Sequence, residues 1–343
     1  MSIQRNTMIQ HSSIKSMFFK REMILFYLLI IVNIFNAITS EYYLDVGGIM
    51  QATRVFLDKG FVVLGMTYVL MIGEIDISVA SIIALCSCVM GVVYNAGLSL
   101  PIAMLICIGV GALCGLLNGI LVAKFRELAS MIITLATMSL YRGIAWILLG
   151  DKAAGGYPDW FTFLSSGDLF KIGGVGVPFI LIVFIVFAVA FGVILRKGVF
   201  GKKLYMVGNN AETSQYSGIK VFNIRVIVFV IIGIMSSISA IFLTSRLATA
   251  RPNVATNYEM EAIAIVILGG VKTDGGSGTV LGVVLSMFIV GLLKYGLGLN
   301  SICSEIILIV VGALLVLSIL IPNMSQIIKQ NTQIKKVIRS QKY

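Results

Sequence analysis

The sequence holds a single histidine, His11, and only 12% of its 343 residues are charged. Its five cysteines (Cys86, Cys88, Cys107, Cys114 and Cys303) form no CxxC pair, have no histidine companion and sit in apolar runs. They read as small buried hydrophobes, which leaves no disulfide framework and no metal site. The phosphate-cradling pattern GxxxxGK[ST] is missing, and GGVKTDGG at 269–276 lacks its spacing. HExxH, GxSxG and zinc-ligand spacings are missing as well. The chain therefore reads as no enzyme, with neither metal nor cofactor of its own. Any energy input is expected from a partner or an ion gradient.

What is abundant is apolar. Hydrophobic residues make up 58% of the chain and the mean hydropathy is +1.01. Repeated apolar runs near the bilayer-spanning length of about 20 residues mean transmembrane helices. The expected fold is all-α and polytopic, with about ten spans at 23–39, 55–73, 77–96, 101–123, 129–149, 177–195, 226–245, 259–271, 277–297 and 303–321. The first run is too long for a signal-peptide core and no clear cleavage site follows it, so it is expected to be retained. The eighth is too short to cross alone, so at least one helix is expected to be short or broken and covered by protein. The layout is a head over 1–22, a membrane domain over 23–321 and a basic tail over 322–343.

A net charge of +11 raises the possibility of nucleic acid, but its distribution argues otherwise and needs no anionic polymer as an explanation. Of 26 Lys and Arg, 18 fall in the head, after the fourth span, in the loop 196–225, at Lys272 and in the tail. That is the positive-inside pattern, which puts both termini and the 196–225 loop in the cytoplasm. The tail also suits anionic lipid head groups. Intervals 40–54, 150–176 and 246–258 fall outside.

The 196–225 loop is the one long polar interval of the second half. A helix of roughly two turns is predicted at 209–218, with Asn209 or Asn210 as N-cap, Glu212 in its first turn and Gly218 at C′. So short a helix is marginal in water, so it packs either on a soluble partner or on its own bundle and the lipid surface. Gly111, Gly115 and Gly119 mark one packing face, and Gly278 and Gly282 another. GEIDISVASIIAL at 73–85 and GGVKTDGGSGTVL at 269–281 echo each other as polar turns before apolar helices, with Glu74, Asp76, Ser78, Gly275 and Gly276 at the breaks.

Charges within spans need a reason. Arg142, with Thr134, Thr137, Ser139 and Tyr141 nearby, either lines a polar path or snorkels or pairs with a carboxylate such as Glu261. Glu259 and Glu261 open the eighth span, as dipole caps or as an outer mouth. Glu74 and Asp76 read as solvated caps, with a proton relay as the lesser reading. Lys294 is expected to reach the interface.

Several segments carry a family resemblance, over about 60–321: GEIDISVASI at 73–82, GLLNGILVA at 115–123, TLATMSLYRGIAWILLG at 134–150, FGKKLYMVGNNAETSQYSGIKV at 200–221 and YEMEAIAIVILGGVKTDGGSGTVLGVVL at 258–285. Together they resemble the membrane permease subunits of bacterial ATP-binding-cassette importers for monosaccharides, the branch handling ribose, xylose, rhamnose and autoinducer-2. TSRLATARPNVATNYEME and YRG…GYPDWF look closest to rhamnose-type or autoinducer-2-type permeases. The resemblance implies an inner-membrane subunit paired with a second or sister permease. It further implies two cytoplasmic ATPase subunits that use ATP, and a periplasmic or lipid-anchored sugar-binding protein. Residues 209–218 then become a coupling helix in an ATPase groove, involving Lys202, Lys203, Asn209, Asn210, Ala211, Glu212, Thr213, Ser214, Tyr216 and Gly218. Thr213 and Ser214 depart from the family, which often has alanines there. The substrate path would be Thr134, Thr137, Tyr141, Arg142, Glu259 and Glu261. A self-contained ion-coupled sugar transporter is the rival reading; a structural or channel-like subunit is a third.

Overall fold

A computed structural model describes residues 21–303, 305–307, 309–313 and 316. The head before Arg21, the 322–343 tail and part of the expected tenth span lie outside them. Helices α1 (Arg21–Thr39), α2 (Val46–Met71), α3 (Val79–Asn95), α4 (Leu100–Lys124) and α5 (Ser130–Leu149) come first. After them stand a short α6 (Asp159–Ser166) and a hairpin of β1 (Asp168–Ile172) and β2 (Val175–Pro178). Then follow α7 (Phe179–Lys197), α8 (Val199–Asn209), α9 (Ala211–Tyr216), α10 (Val221–Leu247), α11 (Tyr258–Leu268) and α12 (Val280–Leu299). Each of the first nine expected spans has its helix, and the protein is a polytopic all-α membrane protein. Six of these helices are long and apolar enough to cross a membrane by composition: α1, α4, α5, α7, α10 and α12. The eighth is short, as its sequence suggests, at 11 residues.

The ends are set by local chemistry. The Asp45 carboxylate accepts from the Gly47 and Gly48 amides at the start of α2, and the Thr279 hydroxyl accepts from Gly282 at the start of α12. Pro101 sits in the first turn of α4, where its missing N–H costs nothing. The hairpin, which starts in the 150–176 interval and runs to Pro178 at the start of the expected sixth span, is not anticipated by the sequence reading, which takes that interval as an outer loop.

Helix α2 is the axis of the bundle, buried almost continuously from Phe56 to Met71. Phe61 stacks on Phe242 of α10 at 5.0 Å between centroids and meets Phe184 and Phe187 of α7 edge-on. The glycine face of α4 lies against α10: a Cβ on Gly115 would run into the Phe229 carbonyl, and one on Gly111 into that of Gly233 at 2.5 Å. Small residues let the two backbones touch where lipid gives no drive to associate. Gly282 abuts the Gly269 carbonyl and Gly278 abuts Val271, so the second pair also serves close packing. Gly115→Val is expected to destabilise the protein by about 3 kcal/mol or more, because the obstacle is backbone. Gly109, with nothing near its absent Cβ, is the control. Thermal unfolding in detergent reads the difference.

Four cysteines are buried, but Cys303 is exposed, contrary to the sequence reading.

Candidate coupling and translocation sites

The two echoed turns meet in space. The Gly276 amide donates to the Met71 carbonyl, the last of α2, at 2.9 Å. The absent Cβ of Gly73 faces the Asp274 carbonyl at 3.1 Å. Gly208, at the end of α8, is wedged between the two: a Cβ there would strike both the Met71 carbonyl and the Gly276 amide. The Tyr205 hydroxyl donates to the Gly278 carbonyl at 2.8 Å, and burial pushes its phenol above the usual value, so the donor persists at neutral pH. The central loop is thus seated on both helix breaks.

From that seat α9 projects. The Asn210 side chain accepts from the Thr213 amide at 2.8 Å, the capping role sequence reading gave to Asn209 or Asn210. Asn209 instead donates to the Tyr205 carbonyl, extending α8. Helix α8 itself is an element the sequence reading does not include: FGKKLYMVGN reads as basic loop. Leu204 and Val207 are buried beneath it, while Lys202 and Lys203 are exposed. In α9 only Ser214 is buried; Glu212 and Thr213 face outward, and Tyr216 is 94% exposed. Ala211 is half-buried against the core, and Gly218 closes the helix with φ +84°. Arg126, between α4 and α5, donates to the Gln215 side chain at 3.0 Å.

The break after α2 is polar and buried, which corrects the reading of Glu74 and Asp76 as solvated caps. Glu74 pairs with Arg225, in the first turns of α10, at 2.9 Å. Asp76 is fully buried, and its Oδ1 accepts from the Ser78 hydroxyl at 2.6 Å and the Ser78 amide at 2.8 Å. Asn118 of α4 donates to the Ser78 hydroxyl at 2.7 Å and accepts from the Tyr141 hydroxyl of α5 at 2.9 Å. The amides of Ile75 and Ile77 donate to Ser130 and Thr134 of α5. Thr134, Thr137 and Tyr141 are therefore turned into the bundle, bonded within one chain. Asn118 and Ser130 were invisible as site residues, because their partners Ser78, Tyr141 and Ile75 are remote from them in sequence.

Arg142 is half-buried and donates to the carbonyls of Pro252 at 2.6 Å and Val254 at 2.9 Å. It holds the loop before α11 and does not pair with Glu261. Glu261 is taken by two lysines, Lys59 of α2 at 2.8 Å and Lys294 of α12 at 2.7 Å. Lys294 thus turns inward, contrary to the interfacial position expected from sequence. Beside it, the fully buried Asp58 accepts from Arg246 at 2.8 Å and faces the Tyr258 hydroxyl at 3.4 Å, while Lys59 lies over the Tyr258 ring at 4.4 Å. Arg54 of α2 binds Asp168 of β1. The bundle is not poor in charge, as sequence alone suggests; its charges are paired. The signal lay in Arg54, Asp58 and Lys59, which interrupt the expected second span and its approach. Glu259 opens α11 largely buried, its Oε2 without a partner.

Comparison with known proteins places this geometry. The family described as branched-chain amino acid transport system / permease component matches residues 48–319. The chain is 34% identical over 286 residues to the autoinducer 2 import system permease protein LsrD of Yersinia enterocolitica serotype O:8 / biotype 1B, covering 82% of this chain and 85% of that protein. It is 34% identical over 279 residues to LsrD of Salmonella typhimurium (80% and 82%) and 32% identical over 302 residues to LsrD of Yersinia pestis strain Pestoides F (86% and 89%). No solved structure matches it significantly. The family match runs through the bundle from α2 onward, both helix breaks and the central loop, and the protein belongs to the branched-chain amino acid transport system permease family, as a multi-pass membrane transport component.

Proposed function

We propose that the chain is the permease subunit of an ATP-binding-cassette importer, carrying a small sugar-like solute or autoinducer-2 inward on ATP hydrolysed by a partner. The named relatives are import permeases for autoinducer 2, which supports the solute class. The observation that carries the reading is α9: a side-chain-capped helix seated on both helix breaks, presenting Glu212, Thr213 and a Tyr216 that is 94% exposed. A helix this short is not stable alone, and its outward face is built to meet a soluble protein. In this reading the ATPase grips α8 and α9 from the cytoplasm, where both termini also lie, in a bacterial inner membrane. A periplasmic or lipid-anchored binding protein delivers solute to the opposite face, where Arg142 fixes the 252–254 segment. A cavity of about 240 Å³ opens there, lined by Trp146, Asp151, Lys152 and Arg251. A second permease copy or a sister subunit completes the passage, and rigid-body rocking of the bundle follows ATPase closure.

Tyr216→Cys in a Cys303→Ser background, co-expressed with the cassette ATPase, tests the docking. Crosslinking to the ATPase from position 216 and not from Asp151→Cys is the expected result. Crosslinking from 151 alone would contradict it.

A second reading, an ion-coupled transporter, is favoured by one observation: Asp58 and Asp76 are fully buried carboxylates and Glu261 is mostly buried. Asp58 and Glu261 are neutralised by cations at hydrogen-bond distance, which makes them poor proton carriers, so the first reading stands ahead.

A further inference from the structure

We propose that Asn118 is a positioning residue of the transport cycle, joining movement of the central loop to α5 and the outer loop. This rests on the reading of α9 as the point where a partner ATPase pushes. The residues at issue connect end to end. Helix α10 begins just after α9 and carries Arg225, whose guanidinium holds Glu74 at 2.9 Å with both side chains mostly buried. Glu74 belongs to the break between α2 and α3, so a displacement at the start of α10 is imposed on that break. The break in turn reaches α5 by two routes. One is the backbone of Ile75 and Ile77 on the hydroxyls of Ser130 (3.0 Å) and Thr134 (3.2 Å). The other is the chain Asp76, Ser78, Asn118, Tyr141.

That chain has one direction. Tyr141 donates to Asn118, the Asn118 amide donates to Ser78, and the Ser78 hydroxyl donates to Asp76. Asn118 and Ser78 each give and receive along it, and Asn118 is the member that joins Tyr141 of α5 to the break. Ser78, Asp76 and Asn118 are fully buried and Tyr141 is 3% exposed, so water does not compete and each link is stiff. The next residue, Arg142, holds the carbonyls of Pro252 and Val254. The loop side of the bundle is thereby tied to the outer loop through side chains on α10, the break after α2, α4 and α5. One acceptor is left over: Asp76 Oδ2 is buried with no partner. A buried carboxylate oxygen without a donor is costly, so in this proposal the Asp76 end of the chain is where a shift of the break changes the hydrogen bonding, as coupling through a two-state element requires.

The test uses the full transporter, with its ATPases and binding protein, in proteoliposomes with autoinducer-2 as solute. Uptake per ATP hydrolysed is compared for wild type, Asn118→Leu and Tyr141→Phe. Asn118→Leu is expected to lower that ratio about tenfold, with ATPase turnover within about twofold of wild type. Tyr141→Phe, which deletes one hydroxyl and keeps the ring, is expected to lower it less. Combining Asn118→Leu with Glu74→Gln is expected to cost little beyond the worse single variant, as for groups in series. A lowered melting temperature with an unchanged ratio would make Asn118 a structural residue and overturn the proposal. If Asn118→Leu fails to assemble, an unchanged ratio in Tyr141→Phe overturns it alone. A wild-type complex without ATP-dependent uptake would remove the underlying reading and this proposal with it.

Discussion

Replacing Glu261 with Leu is expected to destabilise the bundle by about 3–5 kcal/mol, the cost of stripping one partner from a buried ion pair. Two ammonium groups converge on this carboxylate, Lys59 at 2.8 Å from one oxygen and Lys294 at 2.7 Å from the other, and all three side chains are less than a quarter exposed. Removing it leaves two like charges facing each other with no counter-ion. The short α11 would lose its ion pairs to α2 and α12 together. Lys59→Met should cost less, since Lys294 still neutralises Glu261. The triple variant Lys59→Met, Glu261→Leu, Lys294→Met should recover much of the loss, because an apolar replacement of a whole buried ion cluster is often close to neutral. Unfolding midpoints in detergent check all three. Equal stability for Glu261→Leu and wild type would mean the cluster is solvated.

Gly218→Pro is expected to abolish most transport while leaving the bundle folded. Gly218 has φ +84°, its amide donates to the Gln215 carbonyl at 3.0 Å, and nothing lies within 4 Å of its absent Cβ. Proline holds φ near −65° and has no N–H, so the substitution breaks the turn that ends α9 without touching the core. The helix should be re-aimed, and uptake should fall about tenfold or more, the effect of roughly 1.4 kcal/mol or more in coupling. Gly218→Asn, which tolerates the left-handed region, should keep most activity. Solute uptake and melting temperature measured together separate this outcome from unfolding.

Much of this architecture was readable in the residues. Runs of apolar sequence marked nine helices, because length and hydropathy are local properties. Helix α2 nonetheless starts at Val46, well before the expected 55, since its first turns carry Gln51 and Arg54. The cap and stop of α9 were readable for the same reason, since Asn210 and Gly218 act within one turn. The glycine face of α4 could be read as a contact, though not that α10 would fill it. What failed to show was pairing over distance. Lys59 and Glu261 lie 202 residues apart and Arg225 is remote from Glu74, so each charge looked isolated or solvated until the fold joined them. Helix α8 carries a readable period, with Phe200, Leu204 and Val207 at i, i+4 and i+7 and its two lysines facing outward. It was hidden by the basic, glycine-bearing character of the loop around it.

The most direct measurement is solute uptake by proteoliposomes holding this chain, with and without its cassette ATPase and binding protein. Trials would use internal ATP or an imposed proton or sodium gradient. The account predicts uptake of autoinducer-2 or a small sugar only when the ATPase and ATP are both present, with no response to the gradient. Uptake driven by the gradient alone, by this chain without an ATPase, would contradict it.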